Sequence, residues 1–231
     1  MALLKLTDIC KDYQQGREPV RVLKNISLTV EKGDYLAIMG PSGSGKTTLM
    51  NIIGCLDVPT SGSYELDGRD LKNLSDDDLA DIRNKHIGFV FQQFHLLPKM
   101  TALDNVALPL LYADVPLKDR RERAAAALKA VGLEERMGFY PNQLSGGQCQ
   151  RVAIARAMVG KPDLLLADEP TGALDTRAGD QIMDIFRQLS EDGMTIVMIT
   201  HEPAIARCAA KTYRILDGNL FTEEGALADG R

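Results

Sequence analysis

We infer the fold from one segment, in which a short apolar run leads into a glycine-rich loop: Tyr35-Leu36-Ala37-Ile38-Met39-Gly40-Pro41-Ser42-Gly43-Ser44-Gly45-Lys46-Thr47-Thr48. The apolar run has the length of a buried strand rather than a helix. Residues 40–47 match the pattern G-x-x-x-x-G-K-[ST] in full, and a helix is predicted to follow at residues 47–56. Glycines let backbone N–H groups curl around phosphate oxygens, and the helix adds its positive end. The segment therefore predicts a site for a nucleotide phosphate.

Two side chains of this loop have a specific expected role. Lys46 can reach the β- and γ-phosphates, and the hydroxyl of Thr47 can ligate Mg²⁺. The alternative is a chance match in a turn rich in glycine and serine. Eight matching positions between a strand and a helix argue against that alternative.

Further strands and helices alternate along the chain and predict an α/β core. Apolar runs at residues 164–167 and 195–199 have the length of buried strands, and helical patterns lie at residues 47–56 and 177–189. This alternation is typical of parallel β-α-β units, whose ligands bind at the carboxyl ends of the strands.

The ends and the middle of the chain are organised differently. Two β-rich runs near the N-terminus, at residues 3–9 and 20–30, predict strands. The pattern from residue 97 to residue 159 is helical, which predicts a helical subdomain inserted into the core. The predicted domain is thus single and spans residues 1–231, with its nucleotide-binding core formed by residues 1–96 and 160–231.

An acidic pair follows the apolar run at residues 164–167. A strand that ends in Asp168 places a carboxylate where it can hold Mg²⁺, and Glu169 can polarise an attacking water as a general base. Alone, such a pair would be a solvated turn. Because the chain also contains a complete phosphate loop, the catalytic interpretation of the pair is favoured.

A second glycine-rich start of a helix occurs at Leu144-Ser145-Gly146-Gly147-Gln148. Ser145 is a suitable N-cap, and the two glycines free backbone N–H groups to meet an anion. A simple helix cap is the alternative. Because the chain already has one phosphate loop, a γ-phosphate from a second subunit would explain this additional anion site.

Composition excludes several classes of function. The sequence has 27 Lys and Arg against 32 Asp and Glu, a net charge of −5, which argues against a nucleic-acid partner. The sequence contains no run of 18 apolar residues, so no membrane span is predicted. The N-terminal segment has an acidic residue at its eighth position and no long apolar run, so no signal peptide is predicted. The four cysteines form no C-x-x-C pair, so we expect reduced thiols and no zinc site.

Together these motifs resemble the ATP-binding cassette (ABC) ATPases, over essentially the whole chain. The resemblance rests on six ordered motifs beyond the phosphate loop: Tyr13 within Lys11-Asp12-Tyr13, Gln92 after Phe89-Val90-Phe91, Leu144–Gln148, Leu164–Pro170, Gly172-Ala173-Leu174-Asp175 and Thr200-His201-Glu202. It implies the P-loop NTPase fold of that family: a mixed sheet with helices, an antiparallel β N-terminal region and the inserted helical subdomain.

The resemblance also implies a role for each matching residue, with ATP and Mg²⁺ as the ligands. The implied catalytic residues are Lys46, Gln92, Glu169 and His201. The implied metal ligands are Thr47, Gln92 and Asp168. The implied contacts to ATP come from Tyr13, which would stack on adenine, from Gly40, Pro41, Ser42, Gly43, Ser44, Gly45, Lys46, Thr47 and Thr48, and from Ser145, Gly146, Gly147, Gln148 and Asp175. For Tyr13 the alternative is a core aromatic residue, and for His201 it is a structural or surface histidine.

Within the family the sequence is most similar to the MacB/LolD/FtsE-like branch, and this closer resemblance rests on residues 39–46, 51–57, 89–94 and 170–175. This implies an ATPase that forms a homodimer when ATP is bound and powers a MacB- or FtsX-like membrane permease from the cytoplasmic face of the membrane. The substrate would be an amphiphile that is exported or extracted, and a periplasmic or extracellular accessory protein is a further implied partner. The apolar segment at residues 94–98 could line the cleft for the permease, or it could be a buried hinge.

Three other functions are the alternatives. An FtsE-like subunit would use the same cycle to signal to a cell-envelope partner without transport, and sequence alone discriminates it poorly. A soluble ABC protein of translation or DNA repair is disfavoured by the single cassette and by the lack of a long coiled-coil insertion. A small-molecule or nucleotide kinase would leave residues 144–148 and 172–175 unexplained.

Overall fold

A computed structural model of the chain describes residues 1–16 and 18–222. The chain forms two compact units, one of residues 81–192 and one of residues 1–80 with the described residues from 193 onward. The last nine positions of the predicted domain lie outside the described residues. None of the helices in the described ranges is long and apolar enough to cross a membrane.

The first unit contains two sheets. Its strands and helices are β1 (Ala2–Gln15), β2 (Glu18–Glu31), β3 (Tyr35–Met39), α1 (Lys46–Ile53), β4 (Ser61–Leu66), β5 (Arg69–Asp70), the beginning of α2 (Asp76–His86), and, after the second unit, β8 (Thr195–Thr200), α7 (Pro203–Ala206), β9 (Lys211–Leu216) and β10 (Asn219–Thr222). One sheet is antiparallel, in the order β2-β1-β4-β5. In the other, β3 lies between β8 and β9 and is parallel to both, and β10 pairs antiparallel with β9.

Burial explains the central strands of the first unit. Every residue of β3 and of β8 is buried, as expected for parallel strands that are covered on both faces. The N-terminal strands β1 and β2 are longer than their apolar runs predict, because hairpin pairing continues to Gln15 and Glu18 beyond the buried residues.

The second unit contains a parallel strand pair and most of the helices. Its elements are the end of α2, β6 (Ile87–Phe91), α3 (Ala102–Tyr112), α4 (Leu117–Ala130), α5 (Gly146–Met158), β7 (Leu164–Asp168) and α6 (Thr176–Glu191). Strands β6 and β7 pair in parallel, with Phe91 opposite Asp168. Helices α3, α4 and α5 share one apolar core, formed by residues that include Val106, Leu110, Leu128, Val152 and Ala155.

These sheets and helices confirm the predicted fold class, an α/β core with an antiparallel N-terminal region. The range predicted as the helical subdomain, residues 97–159, contains α3, α4 and α5. Its borders, and the division of the core into residues 1–96 and 160–231, remain predictions.

Asn105, on α3, fixes the segment that leads into this helix. Its side chain is fully buried, and its amide nitrogen donates to the carbonyls of Leu97, Met100 and Thr101 at 3.0–3.2 Å. Its amide oxygen accepts from the backbone N–H of Leu97 at 2.7 Å. One buried side chain thus satisfies backbone groups that lie outside regular structure.

We expect Asn105→Leu to lower the free energy of unfolding by about 2–4 kcal/mol, because the substitution removes four hydrogen bonds between a buried side chain and the backbone. Urea denaturation followed by circular dichroism measures this loss. Asn84→Leu is the matched control, because Asn84 donates one bond, to the carbonyl of Pro109 at 3.0 Å, and its loss should cost about 1 kcal/mol. Equal losses in the two variants would contradict the role given to Asn105.

Candidate nucleotide site

The phosphate loop connects β3 to α1 in the first unit, and two of its glycines are required by their surroundings. A Cβ on Gly40 would lie 2.7 Å from the Ser44 hydroxyl and would also clash with the carbonyl oxygen of Ile215. Gly45 has a φ of 106°, and a Cβ there would lie 2.9 Å from the Leu23 side chain. The loop is therefore closely packed against β2 and β9.

The N-terminus of α1 lacks a side-chain cap. Gly45 is the N-cap residue and makes no side-chain hydrogen bond to the first turn. The first backbone N–H groups of a helix need an acceptor from outside the helix, and they carry a partial positive charge. A phosphate group meets both needs, so this helix end fits the ligand predicted from the sequence.

The side chains of the loop are arranged around this helix end. Lys46 donates from Nζ to the carbonyls of Gly40 at 2.7 Å and Pro41 at 2.8 Å, which holds the ammonium group against the loop. Pro41, Ser42, Gly43 and Thr47 are exposed, Thr48 is half-buried, and Ser44 is buried. The Ser44 hydroxyl oxygen has no hydrogen-bond partner among the described residues, so it is an unused polar atom in the loop.

Two more predicted residues belong to the first unit. Met39 lies opposite Thr200 in the parallel pairing of β3 with β8. The phosphate loop, which follows β3, and His201, which follows β8, therefore leave the sheet at the same edge. His201 is exposed. Tyr13 lies on the β1–β2 hairpin with 39% of its surface exposed, so it is not the core residue that was the alternative.

The carboxyl ends of β6 and β7 bring the other predicted catalytic residues together in the second unit. Because Phe91 pairs with Asp168, Gln92 and Glu169 follow at the same edge. A Cβ on Gly172 would lie 2.6 Å from the Gln92 amide nitrogen, so the residues after Glu169 approach Gln92 closely. Glu169 has a φ of 45°, a left-handed conformation that is strained in a non-glycine residue and typical of functional sites.

The residues predicted to contact a second nucleotide lie at two helix starts of the second unit. Ser145 caps α5 in a reciprocal arrangement, in which its hydroxyl accepts from the Gln148 N–H at 3.3 Å and the Gln148 side chain accepts from the Ser145 N–H at 2.9 Å. Ser145 and Gly146 are exposed. Asp175 is exposed as well, and it caps α6 by accepting from the N–H of Ala178 at 2.9 Å.

Sequence reasoning missed two side chains of α5 that bind the segment around Gln92. Gln150 is fully buried and donates to the carbonyls of Pro170 at 2.6 Å and Phe91 at 3.3 Å. Arg156 donates to the carbonyls of His95 and Phe94 at 2.6 and 2.8 Å, and burial lowers the pKa of its guanidinium. The sequence contained a signal for Gln150, because this polar residue lies on the buried face of α5 with Ala153 and Ile154.

The predicted Mg²⁺ ligands suit that ion in their chemistry. Thr47, Asp168 and Gln92 offer hydroxyl, carboxylate and amide oxygens, which are the donors that Mg²⁺ prefers. Within the described residues, no group of three or more His, Cys, Asp or Glu is placed to hold a metal. The three predicted ligands Thr47, Asp168 and Gln92 would suit a Mg²⁺ ion that is bound mainly through substrate phosphates and water.

Known proteins are similar to this chain in sequence and in fold. The model of the family described as "ABC transporter" matches residues 23–172. The Bacillus subtilis (strain 168) protein named "Uncharacterized ABC transporter ATP-binding protein YvrO" is 58% identical over 96% of this chain and 97% of its own length. The macrolide export ATP-binding/permease protein MacB of Syntrophobacter fumaroxidans is 53% identical over 99% of this chain, which spans only 32% of that relative.

A solved structure is similar to this chain in fold as well as in sequence. The ATP-binding cassette MJ0796, in a dimeric, post-hydrolysis state bound to ADP and Pi, matches with a TM-score of 0.86 and 46% identity. The match covers 95% of this chain and 98% of that chain.

The strained backbone at Glu169 generates a prediction about stability. We expect Glu169→Gly to be more stable than Glu169→Ala by about 1 kcal/mol, because only glycine adopts a positive φ without a steric cost. Thermal or urea unfolding measures the difference. The same two substitutions at Asp180, an exposed residue inside α6, should give the opposite order by about 1 kcal/mol. An alanine variant that is the more stable at both positions would contradict the strain.

Proposed function

This chain belongs to the ABC transporter family, and from that membership we propose that it hydrolyses ATP to power a MacB-type membrane permease. The observation that carries the proposal is the match to the MacB proteins. Those relatives are named as joined ATP-binding and permease proteins, and this chain corresponds to about a third of their length, 32–35%. We infer that this third is the ATP-binding part and that the permease occupies the remainder.

In the proposed reaction the phosphate loop binds the triphosphate. The uncapped N–H groups of α1 and the Lys46 ammonium would neutralise the charge of the β- and γ-phosphates. Thr47, Gln92 and Asp168 would hold Mg²⁺, which, when bound, offsets negative charge on the phosphate oxygens. Tyr13 would stack on the adenine ring.

Glu169 is the proposed general base. It would accept a proton from water as the water oxygen bonds to the γ-phosphorus and the bond from that phosphorus to the bridging oxygen of ADP breaks. Gln92, which follows β6 at the same sheet edge where Glu169 follows β7, would orient the water. His201 would contact the γ-phosphate or this water.

We propose that ATP closes two copies of the chain into a dimer. The exposed residues Ser145 and Gly146, with Gly147 and Gln148, would face the γ-phosphate bound to the second copy, and Asp175 would lie along the seam. The hydroxyl of Ser145 and the side chain of Gln148 are already hydrogen-bonded to each other's backbone, so this helix start is capped within a single chain. The dimeric state of the similar cassette MJ0796 supports this proposal.

Export of an amphiphile is the favoured use of this cycle. The MacB relatives are named for macrolide export, which supports transport over the FtsE-like alternative of signalling without transport. The proposal places the ATPase at the cytoplasmic face of the membrane, where it would be bound to the permease. A periplasmic or extracellular accessory protein would complete the exporter.

Ser145→Arg tests the shared site. We expect this variant to bind ATP within about twofold of the wild type and to lose at least about 90% of turnover, because a bulky cation blocks approach of the second copy without altering the phosphate loop. Calorimetric titration and phosphate release measure the two quantities. Asn142→Arg, an exposed position three residues earlier, is the control and should keep its turnover. Loss of ATP affinity in a monomeric Ser145→Arg variant would place Ser145 in the pocket of its own chain instead.

Co-expression with a MacB-type permease tests the proposed partner. The chain should co-purify with the permease in detergent, and in liposomes the complex should move an amphiphilic macrolide in an ATP-dependent manner. The Lys46→Ala variant should co-purify but not transport, because it cannot bind ATP productively. A complex that hydrolyses ATP without moving the probe would favour the signalling alternative, and failure to co-purify would contradict the partner.

A further inference from the structure

The ring of Tyr13 is held by its hydroxyl group. Tyr13 lies near the tip of the β1–β2 hairpin, opposite Val20. Its hydroxyl donates to Oδ2 of Asp57 at 2.7 Å, and Asp57 lies 44 positions later, in the loop that follows α1. An exposed aromatic side chain on a hairpin can otherwise change rotamer freely, so this bond selects one orientation of the ring.

The Asp57 carboxylate is itself fixed by two other donors. Its Oδ1 accepts from Nζ of Lys11 at 2.6 Å and from the backbone N–H of Val58 at 2.8 Å. Lys11 also donates to the carbonyl of Val58 at 2.7 Å. Burial raises the pKa of the Asp57 carboxyl, but the hydrogen bonds from Lys11, Tyr13 and Val58 outweigh it, and the pKa lies below its usual value. The carboxylate therefore stays ionised and can accept from all of these donors at neutral pH.

Lys11 also limits which face of the tyrosine ring is available. Its side chain is only 11% exposed, and its ammonium group lies over the ring of Tyr13, 4.9 Å from the centroid. A cation at this distance is attracted to the ring face and occupies it. A nucleobase can then stack only on the opposite face.

Helix α1 links this arrangement to the phosphate loop. The phosphate loop precedes the helix, and the loop that carries Asp57 follows it. The backbone N–H groups of Leu56 and Asp57 both donate to the carbonyl of Asn51 on α1, at 2.8 and 3.1 Å. Because the eight-residue helix is rigid and about 12 Å long, it fixes the separation between the phosphate loop and the anchor of the ring.

We propose that Asp57, together with Lys11, is a positioning residue that holds the Tyr13 ring as a one-sided platform for the nucleobase, at a distance from the phosphate loop set by α1. This inference rests on the proposed function, in which Tyr13 stacks on adenine. It assigns part of the selectivity for a nucleotide over a bare polyphosphate to the contact between Asp57 and Tyr13.

The test compares the affinity of the full chain for ATP with its affinity for inorganic tripolyphosphate, both with Mg²⁺, by calorimetric titration. Tyr13→Ala removes the ring and should weaken ATP binding by roughly 10–100-fold, since a stacked base contributes on this scale. Tyr13→Phe and Asp57→Asn keep the ring but remove or weaken the hydrogen bond, and each should weaken ATP binding about 3–10-fold and raise KM without changing kcat. None of the three should change tripolyphosphate affinity.

Asp12→Asn is the matched control, because Asp12 is the neighbour of Tyr13 on the same hairpin and its carboxylate accepts from the Arg21 guanidinium, at 2.9 and 3.2 Å, rather than from Tyr13. It should leave both affinities unchanged. If Tyr13→Ala leaves ATP affinity unchanged, adenine stacking itself is wrong. If Tyr13→Ala weakens ATP binding while Tyr13→Phe and Asp57→Asn match the wild type, stacking stands and the positioning role is overturned. Equal losses for ATP and tripolyphosphate in Asp57→Asn would also overturn it, and Tyr13→Phe decides the question if Asp57→Asn does not fold.

Discussion

In each compact unit a parallel strand pair brings chain positions that are distant in sequence to one sheet edge. Met39 lies opposite Thr200 in the first unit, and Phe91 lies opposite Asp168 in the second. The register is strongly constrained, because β3 and β8 are completely buried and a slip of one residue would move polar residues into the core. This pairing places Gly40 and His201 at one strand edge in the first unit. In the second unit it places Gln92 and Glu169 at one strand edge.

Buried amide side chains stabilise the irregular segments between these strands and the helices. Asn105 satisfies the backbone of residues 97–101, and Gln150 binds the carbonyls at the ends of the two segments that carry Gln92 and Glu169. An amide side chain can donate to backbone carbonyls in irregular segments, which an apolar side chain cannot do. The Asp57 carboxylate also connects separate segments, but as an acceptor: it accepts from Lys11 and Tyr13 of the hairpin and from the N–H of Val58 in its own loop.

The sequence was sufficient where function depends on local backbone chemistry. The phosphate loop, the strand that ends in Asp168 and the capped helix start at Ser145 each require particular residue types at fixed spacing, so the pattern reveals them. Contacts between distant residues left no such pattern. The bonds of Gln150 to Phe91 and Pro170, and of Asp57 to Tyr13, depend on tertiary packing, and a polar residue on a buried helix face was the only signal for the first of them. The positive φ of Glu169 was equally invisible, because nothing in its identity favours that conformation.

The central claim is that ATP closes two copies of this chain around a shared site. The most direct test is the molecular mass of the Glu169→Gln variant in solution, with and without Mg-ATP. This substitution removes the proposed base but nearly keeps the shape of the side chain, so bound ATP should persist and the closed state should accumulate. The account predicts a shift from the mass of a monomer to that of a dimer when ATP is added. A mass that ATP does not change, with binding confirmed separately, would contradict it.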